Sequence, residues 1–378
     1  MKRIAALRVA TTATLLMGVG LAGVSAAGAS SRHETGHALF AETDSPSGNS
    51  IISYLRASDG TIAYYHTYST YGLGAVATGA SADPLASQGG LALINDGREL
   101  VATNPGSNTV SVFAVDGARL EFLQQIASGG QFPNSVSSSG EFVTVLNSGG
   151  AGTVAEFRWD HHHLSALPAQ SRSLGLANTN PPFFLQGAGQ VGYTPDGTHL
   201  IVTTKHSTDS FEVFTVAAHG QLSATPVTTA ANNAVPFAFS FDNAGNLVAV
   251  EASNSSLSTY RVNVDGTLTS LGSVSDGAHA LCWISSAQGY FFGDNAGSST
   301  VSSFGETAGN APVLLNATAA AAHAGTTDST VSPDSDFLYV ESGGAGTIDV
   351  YAVGSLGTLT PLETLFNLPV ASEGIVAS

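Results

Sequence analysis

The sequence predicts an all-β chain closed into a seven-bladed β-propeller of four-stranded blades. Three observations predict it. A four-strand pattern recurs along the chain, the composition suits short strands and tight turns, and the two ends carry complementary parts of one blade.

The segment Pro236 to Val274 shows the unit most clearly. Phe237 to Phe241 alternates, Asn243-Ala244-Gly245 turns the chain, and Leu247 to Val250 makes a second strand. Leu257 to Val262 makes a third, Asp265-Gly266 is a hairpin turn, and Leu268 to Val274 returns as the fourth. Alternation broken by glycine-containing turns is the signature of antiparallel hairpins. Equivalent turn positions recur at Gly36, Gly97, Gly140, Gly197, Gly245, Gly289 and Ser335. Their spacings bracket the roughly 40–50 residues of a four-stranded blade. Two spacings are long and hold insertions, around Tyr71 to Leu85 and around Leu174 to Gly187.

The composition agrees. The chain has 43 glycines among 378 residues and is only 10% charged. Glycine, serine, threonine, asparagine and valine favour strands and turns over helices.

The ends fix the number of blades. After Gly36 the chain gives three strands, ALFAE, SIISYL and IAYYHTY, which make a blade lacking its innermost strand. Glu373 to Ala377 follows a complete blade and supplies the missing strand. A ring closed this way leaves no free sheet edge. Residues 30–378 are therefore expected to form a single propeller domain.

Residues 1–29 read as an export signal. Lys2, Arg3 and Arg8 precede an apolar run, Ala10 to Val24, which is short for a bilayer span, and Ala26 or Ala29 offers a cleavage point. The expectation is a secreted bacterial protein, extracellular, on the cell surface or periplasmic, with no membrane span after cleavage and a monomeric state. Arginine outnumbering lysine and the alanine-rich signal suggest the bacterial source.

Charge narrows the partners. There are 28 acidic and 11 basic residues, for a formal net charge of −17. Such a surface repels nucleic acid and anionic membranes. Beyond the export signal, Lys205 is the only lysine. Cys282 is the only cysteine, so no internal disulfide forms; set between Leu281 and Trp283, it reads as a small buried hydrophobe.

In a four-stranded blade the second-strand ends and first-strand starts emerge on one face, around the channel mouth, where functional loops concentrate. The second-strand ends are Asn104, Asn147, Lys205-His206, Glu251, Asp294 and Glu341. The first-strand starts include Asp276 with His279, Thr327-Asp328 and Glu373. Charges are scarce in this chain, and several fall at that mouth. Asparagine and aspartate also favour strand ends for turn reasons alone. His161-His162-His163 occupies a third-to-fourth-strand hairpin on the opposite face. Its side chains alternate, so it reads as a polar turn and not a zinc site.

The run Pro236 to Tyr260, Pro-Phe-x-Phe-x-x-Asp continuing to Val-Glu-x-Ser-x-Ser-x-x-x-x-Tyr, resembles the blades of the seven-bladed lactonase propellers, which include 6-phosphogluconolactonases and carboxymuconate cyclases. Tyr193-Thr194-Pro195-Asp196-Gly197 is similar to that family's turn between first and second strands. The resemblance implies an acid/base role for Glu251, which falls where the family ends a second strand in glutamate. Other family positions differ. Gly187-Ala188-Gly189 stands in place of His-x-His, Phe237-Ala238 follows Pro236 in place of a basic pair, and Lys205 to Asp209 only partly matches Asp-x-Gly-x-Asp. A phosphorylated substrate wants arginine or lysine, and this mouth offers Lys205 with His206 and His279.

Three readings follow. The first is a hydrolase of a neutral lactone or ester, with Glu251 as acid/base and Lys205, His206 or His279 steadying the oxyanion; Asn104, Asn147, Asp294, Glu341 and Glu373 would bind the ligand. The second is a non-catalytic extracellular binding propeller, motivated by export, acidity and the altered family positions. The third places Ca²⁺, not otherwise expected as a cofactor, on the oxygens of Asn104, Asn147, Glu251, Asp294, Glu341 and Glu373.

Overall fold

The computed structural model describes residues 36–160 and 162–378; the expected export signal and His161 lie outside these residues. Seven antiparallel sheets follow one another around a ring. Blade 1 runs from its innermost strand Ile375–Ala377 through Ala38–Glu42 and Ser50–Arg56 to Ile62–Ser69. Blade 2 comprises Leu91–Ile94, Glu99–Asn104, Thr109–Asp116 and Arg119–Ala127. In blade 3, Pro133–Ser139, Phe142–Asn147 and Thr153–Asp160 are followed by a broken outer strand, His163–Ala166 and Arg172–Ser173. Blade 4 comprises Gln190–Tyr193, His199–Thr203, Ser210–Thr215 and Val227–Ala230. Blade 5, Pro236–Phe241 to Leu268–Ser275, has Leu247–Glu251 and Ser256–Val262 between, as the repeat predicts. Blades 6 and 7 follow as Leu281–Ala287 to Pro312–Ala321 and Thr326–Val331 to Thr358–Leu365.

Alternation explains why the ring holds. Each sheet buries both faces of its inner strands, so the apolar core is divided among the seams between blades. One seam packs Val101 and Val112 against Val145 and Phe157. Another packs Phe237 and Val250 against Leu281, Trp283 and Phe291. The closing blade pairs Leu39 with Ala377, Phe40 with Val376 and Ala41 with Ile375. Arg56, only 2% exposed, stitches this closure, reaching Asp334 at 3.3 Å and the Ser378 carbonyl at 3.4 Å.

The two insertions meet on the ring. The Thr78 amide donates to the Pro182 carbonyl at 2.8 Å and the Phe184 amide donates to Thr78 at 3.1 Å, a parallel bridge between segments about a hundred residues apart. The first insertion then dips toward the innermost strands. Gln88 donates to the Ile284 carbonyl at 2.9 Å and accepts from its amide at 3.0 Å, while its own amide donates to Gly189 at 3.0 Å. Ser87 donates to Asn134 at 2.7 Å and accepts from the Trp283 indole at 2.7 Å. Leu85 to Gln88 therefore spans the innermost strands of blades 3, 4 and 6 and plugs the channel. No helix of the described residues is long and apolar enough to cross a membrane.

Candidate functional site

Above the plug lies a pocket of about 510 Å³. The first insertion lines it with Gly79 to Asp83, and the second with Phe184 and Leu185. Blades 4 to 7 contribute His206, Val235, Phe237, Ala252, Ser253, Ala280, Cys282, Trp283, Ala296, Gly297, Gly325 and Thr326. The insertions thus act as a roof, and the blade residues as floor and walls.

Asp83 brings a carboxylate to this pocket. It lies in the first insertion, half-buried, and accepts the Ala86 amide at 2.6 Å. Its neighbour is Glu373, whose carboxylate is buried and accepts three amides of the plug: Leu85 at 2.7 Å, Ala86 at 3.2 Å and Ser87 at 2.9 Å. The two carboxyls act on one another: Glu373 lowers the pKa of Asp83, and Asp83 raises that of Glu373. Burial pushes both pKa values up, and Lys205 pulls that of Asp83 part of the way back. Two carboxyls that interact this closely titrate as a unit.

Lys205 stands behind the pocket wall. Its ammonium is fully buried and donates to the Ala86 carbonyl and, at 2.6 Å, to the Phe184 carbonyl, one from each insertion. Its nitrogen lies 5.0 Å from the centre of the Phe237 ring. Burial drives its pKa down to about 8 against the opposing pull of Asp83 and Glu373. The lysine is a clasp that holds the roof to the ring.

The other sequence-predicted residues divide into groups. His206 is exposed and lines the pocket, and its amide donates to Leu185 at 2.9 Å. His279 is exposed at the rim, where its amide is held by Ser298 at 2.9 Å. Glu251 is buried and does not line the pocket, although Ala252 and Ser253 beside it do. Its carboxylate accepts the Tyr260 hydroxyl at 2.7 Å and the Ser256 hydroxyl at 3.2 Å; Tyr260 stacks on Phe211, which places this carboxylate toward the seam between blades 4 and 5. Asn104 is buried and occupied by Ser111 at 2.9 Å and Thr70 at 2.6 Å. Asn147 donates to the Ser128 carbonyl at 3.1 Å.

Asp294 and Glu341 are different. Both are wholly buried, and neither carboxylate has a partner in hydrogen-bond geometry. Burial lifts Asp294 to about 7 and Glu341 well above the ordinary carboxylate range, where Asp328 and Asp44 repel it further. Glu42, Asp44 and Asp328 are raised in the same way. Among the described residues, no three His, Cys, Asp or Glu side chains converge so as to hold a metal ion. Cys282 is buried, as expected of a small hydrophobe, and burial pushes its thiol pKa up, so it stays protonated. His162 sits in the third-to-fourth-strand hairpin, 3.8 Å from Glu99.

Reading strand ends missed Glu42, Asp44 and Asp83. Glu42 carried a signal: ALFAE is the second strand of blade 1, so its last residue is the counterpart of Glu251. Asp83 sits inside an insertion, where no repeat position marks it.

Comparison places this geometry among known proteins. A family model described as the seven-bladed β-propeller lactonases matches residues 47–163 and 151–285. No curated protein sequence matches the chain. Among solved structures, a proposed 6-phosphogluconolactonase of Bacteroides fragilis superposes with a TM-score of 0.69 at 16% identity, over 92% of this chain and 99% of that one. A Lactobacillus plantarum protein gives 0.70 at 17% identity, over 91% and 99%. A periplasmic gluconolactonase of Pseudomonas aeruginosa gives 0.68 at 17% identity, over 90% and 98%.

Proposed function

The chain belongs to the seven-bladed β-propeller lactonase family, and from that premise we propose that it is an exported hydrolase that opens an uncharged lactone or ester in the roofed pocket. Export rests on the basic-then-apolar first 29 residues and finds support in the periplasmic gluconolactonase of similar fold. The observation that carries the chemistry is Asp83, which lines the pocket beside buried Glu373 and whose pKa burial pushes up.

A carboxyl whose pKa burial raises above the ordinary range is suited to give and take a proton. The ionised Asp83 takes a proton from water as the water oxygen bonds to the carbonyl carbon. The carbonyl electron pair moves onto its oxygen, which the His206 side chain steadies. Collapse breaks the acyl carbon–oxygen bond, and the leaving oxygen takes the proton back from Asp83. One lactone and one water give one hydroxy acid.

The test is hydrolysis of a panel of unphosphorylated lactones. Asp83→Asn is expected to lower kcat by roughly 10²–10⁴-fold, with the melting temperature unchanged within a few degrees. Glu251→Gln is expected to keep turnover and lower the melting temperature, because the amide leaves one acceptor oxygen for the two hydroxyls of Tyr260 and Ser256 and sets an NH2 donor against the other. The reverse pattern would assign the acid/base step to Glu251. No turnover by the unaltered protein would defeat hydrolysis and favour a non-catalytic binding propeller.

A further inference from the structure

Building on that reading, we propose that the roofed pocket selects a lactone or ester with an apolar body of aromatic or branched-alkyl size, presented carbonyl-first to Asp83, and that it rejects sugar lactones. The walls carry the argument. Phe184 and Leu185 form the roof, Val235 and Phe237 one wall, and Cys282 and Trp283 another. Phe237 and Trp283 meet edge to face with centroids 5.2 Å apart, making an apolar corner. A volume of about 510 Å³ lies within the range of small-molecule sites.

The polar groups set the other limit. A sugar lactone carries several hydroxyls, each of which needs a partner when it leaves water. Besides Asp83, the Cys282 thiol and the Trp283 indole, which is engaged by Ser87, the polar side chains of the lining are Ser81, Ser253, Thr326 and His206, spread over four segments of chain. Most of the surface cannot answer a hydroxyl. A site that leaves polar groups unpaired discriminates strongly against them.

Charge excludes anions. No lysine or arginine lines the pocket. The nearest ammonium, Lys205, is spent on the Ala86 and Phe184 carbonyls. Asp83, the acidic residue of the lining, adds no attraction for an anion, so the pocket offers a phosphate or carboxylate no lysine or arginine to pair with.

Trp283 supplies a reporter within the site, and the only other tryptophan is Trp159. In a Trp159→Phe background, Trp283 emission is followed while dihydrocoumarin, δ-decalactone and glucono-δ-lactone are titrated. Dihydrocoumarin is expected to give a saturable shift with a Kd at least tenfold below that of glucono-δ-lactone. Phe184→Ser, on the partly exposed roof, is expected to weaken dihydrocoumarin binding several-fold with the far-ultraviolet spectrum unchanged. Calorimetric titration of the unaltered protein makes the same comparison should either variant fold poorly. Tighter or equal binding of glucono-δ-lactone would overturn the assignment, as would no saturable response to either apolar lactone. Apolar binding without turnover would support this ligand class and defeat hydrolysis alone. Turnover of sugar lactones without apolar binding would do the opposite.

Discussion

At Gly189 the identity of one residue is dictated by its surroundings. A Cβ there would lie 2.5 Å from the Phe237 carbonyl oxygen and 2.9 Å from the Thr203 hydroxyl. The backbones of blades 4 and 5 approach too closely for a side chain at this position. Gly189→Ala is predicted to cost about 1–3 kcal/mol, the usual penalty for forcing atoms into a packed site, and Gly189→His more. Denaturant unfolding measures this; an unchanged midpoint for the alanine variant would show that the contact relaxes freely. The same scale marks the limit of the sequence. Strand-end logic located Glu251, Asp294, Glu341 and Glu373 around one face. It did not say where each carboxylate points. Glu251 turns toward Tyr260, Glu373 toward the plug amides, and Asp294 toward no donor. Side-chain direction at a strand end depends on twist and on neighbouring blades, which no local pattern encodes.

Among the elements, the two insertions matter most. Both were legible as overlong spacings, because the blades around them keep a regular beat. Their meeting was not legible, since a backbone bridge between Thr78 and the Pro182–Phe184 segment leaves no pattern in either sequence. Lys205 joins them to the ring, and its consequence is testable. A hydrogen bond to a charged group contributes about 1.5–3 kcal/mol. Lys205→Met removes two such bonds, to Ala86 and Phe184. Opening of the roof should become at least roughly tenfold more frequent, since each 1.4 kcal/mol is a factor of ten. Hydrogen exchange at the Thr78 and Phe184 amides should quicken accordingly, while amides inside blade 5 stay slow. Equal exchange in the two proteins would show that Trp283 and Gln88 hold the roof without the lysine.

Across the whole molecule, burying acids makes stability depend on pH in an unusual direction. Glu42, Asp44, Asp294, Asp328, Glu341 and Glu373 are all buried, and all have pKa values pushed up, first by burial. Glu156, in the seam between blades 3 and 4, is lifted to about 7 despite hydrogen bonds from Thr144 and Tyr193. In the unfolded chain each returns to about 4. Between those values the folded protein binds more protons than the unfolded one, so stability falls as pH rises. The contribution of Asp294 and Glu156 is full below about pH 4 and gone above their folded values near 7. Opposing it are Asp59, Asp196, Asp265 and Asp334, whose pKa values are lowered. These sites are largely exposed, and they act only when pH drops below about 4. The melting temperature should therefore climb by several degrees from pH 8 to pH 5, where many proteins show a plateau. Asp294→Asn, a neutral side chain of the same shape, should raise the melting temperature at pH 8 and leave it nearly unchanged at pH 5. A flat profile between pH 5 and 8, with the variant following the parent throughout, would mean that these carboxylates ionise in the folded ring as readily as in water.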